Sequence, residues 1–150
     1  MIIDQYLTLM SRINGSEGTE MFRQVYALQE GETIDITQDG MLSCAVYVSG
    51  VLVMTPCLDQ MAATVASLES CLKRCGWQAT EVPSPGSVFI WAKALQADGG
   101  EHEHAGFVLD ARWGMSHSDS ERIPVKHKLL SADRIVRTYY SHPLLQPSEV

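Results

Sequence analysis

The turn Pro83-Ser84-Pro85-Gly86 divides this chain into two kinds of hydrophobic patterning. Before it, apolar residues recur at helical spacing. After it, β-branched and aromatic residues come in short runs separated by turn signals. Helices followed by a series of neighbouring strands predict an α+β domain with N-terminal helices packed on an antiparallel sheet. The 150 residues suffice for one domain around one core. No repeat, low-complexity tract or linker interrupts them, so residues 1–150 read as a single unit.

In the first half, residues 18–29 carry Met21, Val25 and Leu28 at helical spacing and predict a short helix closed by Gly31. Thr33 to Thr37 alternates, and Asp39-Gly40 is a turn signal. A second helix is expected from about Ser43 to Met54, with Val48, Val51 and Leu52 on its apolar face and Pro56 as its stop. The third is the clearest. Met61, Val65, Leu68, Leu72 and Cys75 recur at spacings of four, three, four and three, with Asp59 as the expected cap and Gly76 as the closing residue. In the second half, SVFIWAK, HEHAGFVLD, Met115–Ser118, Ile123–His127 and Ile135–Tyr140 predict strands, with a turn at Gly99-Gly100.

A formal net charge of −7 argues against a nucleic-acid partner, because such binding rests on Lys and Arg neutralising phosphates. The basic residues are scattered, and Glu121 and Asp133 flank their one local enrichment, Arg122 to Lys128. No segment approaches the roughly 20 apolar residues of a membrane span, so no membrane partner is expected. The N-terminus lacks a basic region and carries Asp4 early, unlike a signal peptide. The expected compartment is the cytoplasm, and Cys44, Cys57, Cys71 and Cys75 are expected there as free thiols.

Two features combine into a chemical hypothesis. Cys44 stands at the start of an apolar helix, where unpaired N–H groups and the helix dipole favour a thiolate. The Cys44 N–H would also point at a reacting carbonyl oxygen, supplying half of an oxyanion hole. His104 opens the strand EHAGFVLD, and Met115-Ser116-His117 begins the next. Side chains across adjacent antiparallel strands lie about 5 Å apart, so His117 is expected beside His104, orienting its ring. The logic is nucleophile, base and orienter.

This order resembles the NlpC/P60 superfamily of papain-like cysteine peptidases and amidases. Cys44-Ala45-Val46-Tyr47-Val48-Ser49 resembles its nucleophile segment. Pro85-Gly86-Ser87-Val88-Phe89-Ile90-Trp91 resembles its P-G-D strand and His104-Ala105-Gly106-Phe107-Val108 its H-x-G strand. Met115 to Ser120 with Ile123-Pro124-Val125 resembles the strand pair bearing the third residue, His117, thirteen positions after His104. The likeness spans about residues 39–128. It departs at Ser43 and Ala45-Val46, where the family has Asp before the Cys and Ser-Gly after it, and at Ser87, where it has Asp. The resemblance implies a papain-like fold, a thioester intermediate, no cofactor and a peptide or amide substrate such as a cell-wall peptide. A cytoplasmic hydrolase of the wall would leave by lysis or a dedicated secretion system.

Other readings stay open. Cys44 could be a small buried hydrophobe, and His102 shares a face with His104. Asp119 is an alternative orienter, and Tyr26 or Tyr47 could donate a hydrogen bond near the oxyanion. His127 and His142 carry no catalytic role in this reading. A second function class is a zinc-binding module using Cys71, Cys75, His102 and His104. A third is a papain-like interaction domain without activity.

Overall fold

The computed structural model describes residues 1–95 and 98–147. Their order is α1 (Gln5–Gly15), β1 (Tyr26–Gln29), β2 (Glu32–Asp35), α2 (Cys44–Met54), α3 (Val65–Arg74), β3 (Gln78–Thr80), β4 (Val88–Leu95), β5 (Glu101–Val108), β6 (Trp113–His117), β7 (Pro124–Lys128) and β8 (Val136–Ser141). Strands β3-β8-β4-β5-β6-β7 form one sheet in that spatial order, and all its neighbours run antiparallel. The class is α+β, as the patterning predicts. No helix among the described residues is long and apolar enough to cross a membrane.

The core lies between the helices and one face of the sheet. Val88, Ile90, Ala105, Phe107, Met115 and Tyr140 bury against Tyr47, Val48, Val51 and Leu52 of α2 and Leu68 and Leu72 of α3. The alternation of strand side chains sends Phe89, Trp91, Val108 and Tyr139 to the other face, where they gather with Leu129. Helix α2 is buried nearly all round, from Ala45 to Leu52. Its internal Ser49 is satisfied locally, donating to the Ala45 carbonyl at 2.7 Å and accepting from the Ala62 N–H at 2.8 Å.

Three segments differ from expectation. Residues 18–29 are not a helix. They form turns and then β1, which pairs with β2 through a two-residue loop, Gln29 opposite Glu32. Glu30 and Gly31 both have positive φ, 51° and 80°, the backbone twist that suits a tight hairpin. The apparent helical stripe is no core face, since Met21 and Leu28 are exposed. Helix α3 starts at Val65, where Thr64 and Ser67 form a reciprocal cap. Asp59 instead pairs with Arg74 at 2.7 Å. Finally, α1 was not anticipated. Asp4 caps it by accepting from the Leu7 N–H at 2.9 Å, and Leu9 and Ile13, one turn apart, enter the core.

Candidate active site

Cys44 is the first residue of α2. Ser43, the residue before it, does not cap the helix with its side chain; its hydroxyl donates to the Phe22 carbonyl at 2.8 Å. The first-turn N–H groups therefore remain open to the thiol. The N–H groups of Ala105, from the sheet, and of Ala45 and Cys44 act on the Cys44 sulfur and favour its thiolate. Strand alternation explains the first of these. Val108 donates its N–H toward β4, to the Ser87 carbonyl at 2.8 Å, so the odd-numbered neighbours point theirs toward β6. Pairing of β5 with β6 covers only Phe107↔Met115 and Val108↔Gly114, and the Ala105 N–H turns to the sulfur instead.

These donors do not prevail. Cys44 remains partly exposed, yet the surrounding protein pushes its thiol pKa up, against the three N–H groups and the Arg134 charge that pull it down. The sequence argument had the opposite direction, because it counted the helix terminus and not the enclosure.

His104 sits on β5 opposite Trp91 of β4, and the two rings stack with centroids 5.4 Å apart and planes 27° apart. Its Nε2 lies 2.9 Å from Ser116 Oγ, which is 2.8 Å from His127 Nε2; His127 Nδ1 lies 2.8 Å from the Lys128 carbonyl. Burial, then the Arg134, His127 and His117 charges, push the His104 pKa down to about 3. His104 is therefore a neutral imidazole at neutral pH. Among the described residues no hydrogen bond joins it to Cys44, so the resting pair is thiol and imidazole. Gly106, two residues on, lies beneath the Phe89 ring. A Cβ there would stand 2.6 Å from Phe89 Cε1 and 2.7 Å from the Met115 carbonyl, so only glycine lets β4, β5 and β6 come together here.

His117 shares the cavity but not the expected bond. Phe107 and Met115 are register partners and face the helices, as therefore does His117, two residues beyond Met115. His104, three residues from Phe107, faces the other way with Ser116. The side chain in position to orient His104 is thus Ser116. His117 is 2% exposed and leans on the Tyr47 ring at 6.2 Å. Neither of its ring nitrogens has a hydrogen bond of normal geometry among the described residues. Burial lowers its pKa to about 4, with Arg23 adding to the shift and backbone groups of Gly40 and Ser118 opposing it.

His102 Nε2 lies 2.7 Å from Asp98, and the residue also lines the cavity that Cys44 and His104 share. Tyr26 is exposed, and the Tyr47 hydroxyl is held by Ser16 at 2.7 Å; neither is directed at the sulfur. Cys71 is buried on α3 and Cys75 ends that helix, while His104 uses its Nε2 on Ser116. Among the described residues no three His, Cys, Asp or Glu side chains are grouped to hold a metal, so the four proposed zinc ligands do not converge.

Met41, Leu42, Cys44, His104, His117 and Asp119 line a cavity of about 30 Å3, room for roughly one water molecule. Arg134 is outside this lining but acts on the site through its charge. Its guanidinium lies 4.9 Å over Trp91, and its charge acts on Cys44, His104 and Asp119. It also borders a groove of about 750 Å3 beside β8, with Thr80, Leu130, Ile135 and Tyr139. The sequence reading gives no part to Ser116 or Arg134 and assigns His127 no catalytic role, whereas the structure joins His127 to His104 through Ser116. Period-two alternation, once the Phe107↔Met115 register is known, puts Ser116, rather than His117, on the face of His104. Comparison with protein-family models and with curated proteins finds no match for this chain.

Proposed function

We propose that this protein is a cysteine-dependent amide or peptide hydrolase with a papain-like, NlpC/P60-type arrangement. One observation carries the reading: the thiol that begins α2 and the His104 imidazole line one small cavity, where the Ala105 N–H beside His104 acts on the sulfur. Cys44 Sγ attacks the amide carbon while its proton passes to His104 Nδ1, the ring nitrogen not engaged by Ser116. The N–H groups that serve the sulfur lie where an oxyanion develops. The C–N bond then breaks, and His104 returns the proton to the departing amine. Water attacks the resulting thioester with His104 again as base, releasing the acid and the free thiol. Because the resting pair is neutral, proton transfer accompanies attack rather than preceding it. The groove at Arg134 is the natural path for an extended substrate such as a cell-wall peptide.

A second reading, a papain-like domain that binds without cleaving, is favoured by the same neutral pair and by the small cavity. p-Nitrophenyl acetate separates the two. Hydrolysis predicts a burst of p-nitrophenolate with one acetyl group on the Cys44 peptide by mass spectrometry, absent in Cys44→Ala and slowed in His104→Ala. Acetylation spread over all four cysteines, or unaltered by His104→Ala, sinks the enzyme reading. Isolated peptidoglycan peptides, scored for newly released amines, then test the substrate class.

A further inference from the structure

The hydrogen bonds behind His104 have a direction fixed by one backbone atom. The Lys128 carbonyl can only accept, so His127 Nδ1, 2.8 Å away, carries the hydrogen. In a neutral ring His127 Nε2 is then an acceptor, and the hydroxyl of Ser116 donates to it at 2.8 Å. With its hydrogen committed, Ser116 Oγ accepts at 2.9 Å from His104 Nε2. His104 must therefore be the Nε2–H tautomer, with a lone pair on Nδ1.

We infer that Ser116 and His127, anchored on the Lys128 carbonyl, form a relay that holds His104 in its base-competent tautomer, with His127 as a positioning residue. The inference rests on the hydrolase reading for its catalytic meaning but not for its geometry. The fold builds the relay deliberately. Register places Trp91 opposite His104 and Gly114 opposite His127, so His104, Ser116 and His127 share the sheet face away from the helices. The His127 ring must cross β6 to reach Ser116, and Gly114 leaves that lane open. A Cβ there would stand 3.1 Å from both His127 Cε1 and Phe89 Cε1. Trp91 and Phe89 of β4 wall the ring at centroid distances of 5.0 and 5.8 Å.

A doubly protonated His127 would reverse the relay. Its Nε2–H would donate to Ser116, Ser116 would donate to His104 Nε2, and the hydrogen of His104 would move to Nδ1. The groups facing His127 oppose that state. Burial against β4 and the Arg134 charge lower its pKa and the Lys128 carbonyl raises it, the net direction being down; His104 of β5, across Ser116, is itself neutral.

The test reads tautomers directly, from two-bond 1H–15N spectra of the wild type, Ser116→Ala, His127→Phe and His127→Gln. Cys44 acetylation by p-nitrophenyl acetate is measured alongside. The wild type should show His104 with its hydrogen on Nε2 and His127 with its hydrogen on Nδ1. His127→Phe keeps a ring but offers Ser116 no acceptor. It should release the tautomer and slow acetylation about five- to tenfold, the bias that one net hydrogen bond sets, as should Ser116→Ala. His127→Gln restores an acceptor carbonyl and should recover most of the rate and the Nε2–H tautomer, which a purely space-filling role would not do. The relay is overturned if wild-type His104 carries its hydrogen on Nδ1, or if Phe and Gln at position 127 behave alike. If the wild type shows no Cys44 acetylation, the hydrolase reading fails, while the spectra still decide the relay.

Discussion

His117 is buried, neutral and without a normal hydrogen bond at either ring nitrogen, and this makes it a measurable acid liability. An unfolded histidine titrates near 6.5, whereas His117 in the fold titrates at about 4. Because the folded value is depressed, the unfolded chain takes up the proton first. The stability tied to neutral His117 is whole above about pH 6.5 and drains away as pH falls toward 4. One pH unit inside that window is worth about 1.4 kcal/mol, so near pH 5 the loss is about 2 kcal/mol. His117→Phe removes the proton site while keeping an aromatic ring against Tyr47. Urea unfolding followed by tryptophan fluorescence should find the variant within about 1 kcal/mol of the wild type near pH 8, since two unpaired polar atoms are removed from the core. Near pH 5 it should gain about 2 kcal/mol more. His104, with a pKa of about 3, stays neutral through this window, and the carboxylates cancel from the difference. A pH-dependent gain below about 0.5 kcal/mol would mean that His117 titrates normally, and the account of its burial would be wrong.

The rate of Cys44 acetylation should have its acid limb below pH 6.5. His104 acts as a base only when neutral, and its pKa is about 3, while protonation of His127, whose pKa is also lowered, reverses the relay. A midpoint at or above the ordinary imidazole value excludes this pair as the base and its support. Gly106→Ala forces a methyl group against the edge of the Phe89 ring and to within 2.7 Å of the Met115 carbonyl. It should cost about 1–3 kcal/mol in chemical unfolding, the usual range for overpacking. It should also slow Cys44 acetylation, because the same distortion moves Ala105 and His104. An unchanged midpoint in urea would remove the close-approach explanation for this glycine.

The helix-then-strand order was legible because it depends on local periodicity, and so was the start of α2 at Cys44. Strands β4 to β8 were legible for the same reason. The β1–β2 hairpin was not. Met21, Val25 and Leu28 mimic a helical stripe, and only the paired register of Tyr26–Gln29 with Glu32–Asp35 excludes it. Asp59, the cap that the spacing suggests, is held by Arg74 instead, and Thr64 caps α3. At the site, the position of Cys44 at the start of α2 and of His104 on β5 was legible in the sequence, while the face of His117 follows only from the Phe107↔Met115 register. The relay was not decidable, since Ser116 reaches His127 only through the β6–β7 register and the bare Cα of Gly114. Nor could a sequence reveal that enclosure outweighs the helix terminus at Cys44, because that balance depends on every group around the sulfur.

The same balance bears on His104 as the proposed base. Accepting a proton turns His104 into an imidazolium within reach of the Arg134 charge, in a site already poor in water, and both effects depress its pKa. Asp119 lies near enough to Arg134 to act on it, but Arg134 still acts on His104 as a net positive charge. Arg134→Met retains an apolar stem over Trp91 and deletes that charge. The His104 pKa, followed by its ring 15N shifts, should then rise toward the ordinary value, while burial keeps it below 6.5. The Cys44 thiol should move up as well, since Arg134 is among the groups holding it down. Opposed consequences for base and nucleophile identify the charge itself as the agent. A mere repacking of the Trp91 surface would leave the two groups shifting independently. If His104 keeps its pKa in Arg134→Met, burial alone sets the weakness of the base, and Arg134 belongs to the groove rather than to the electrostatics of the pair.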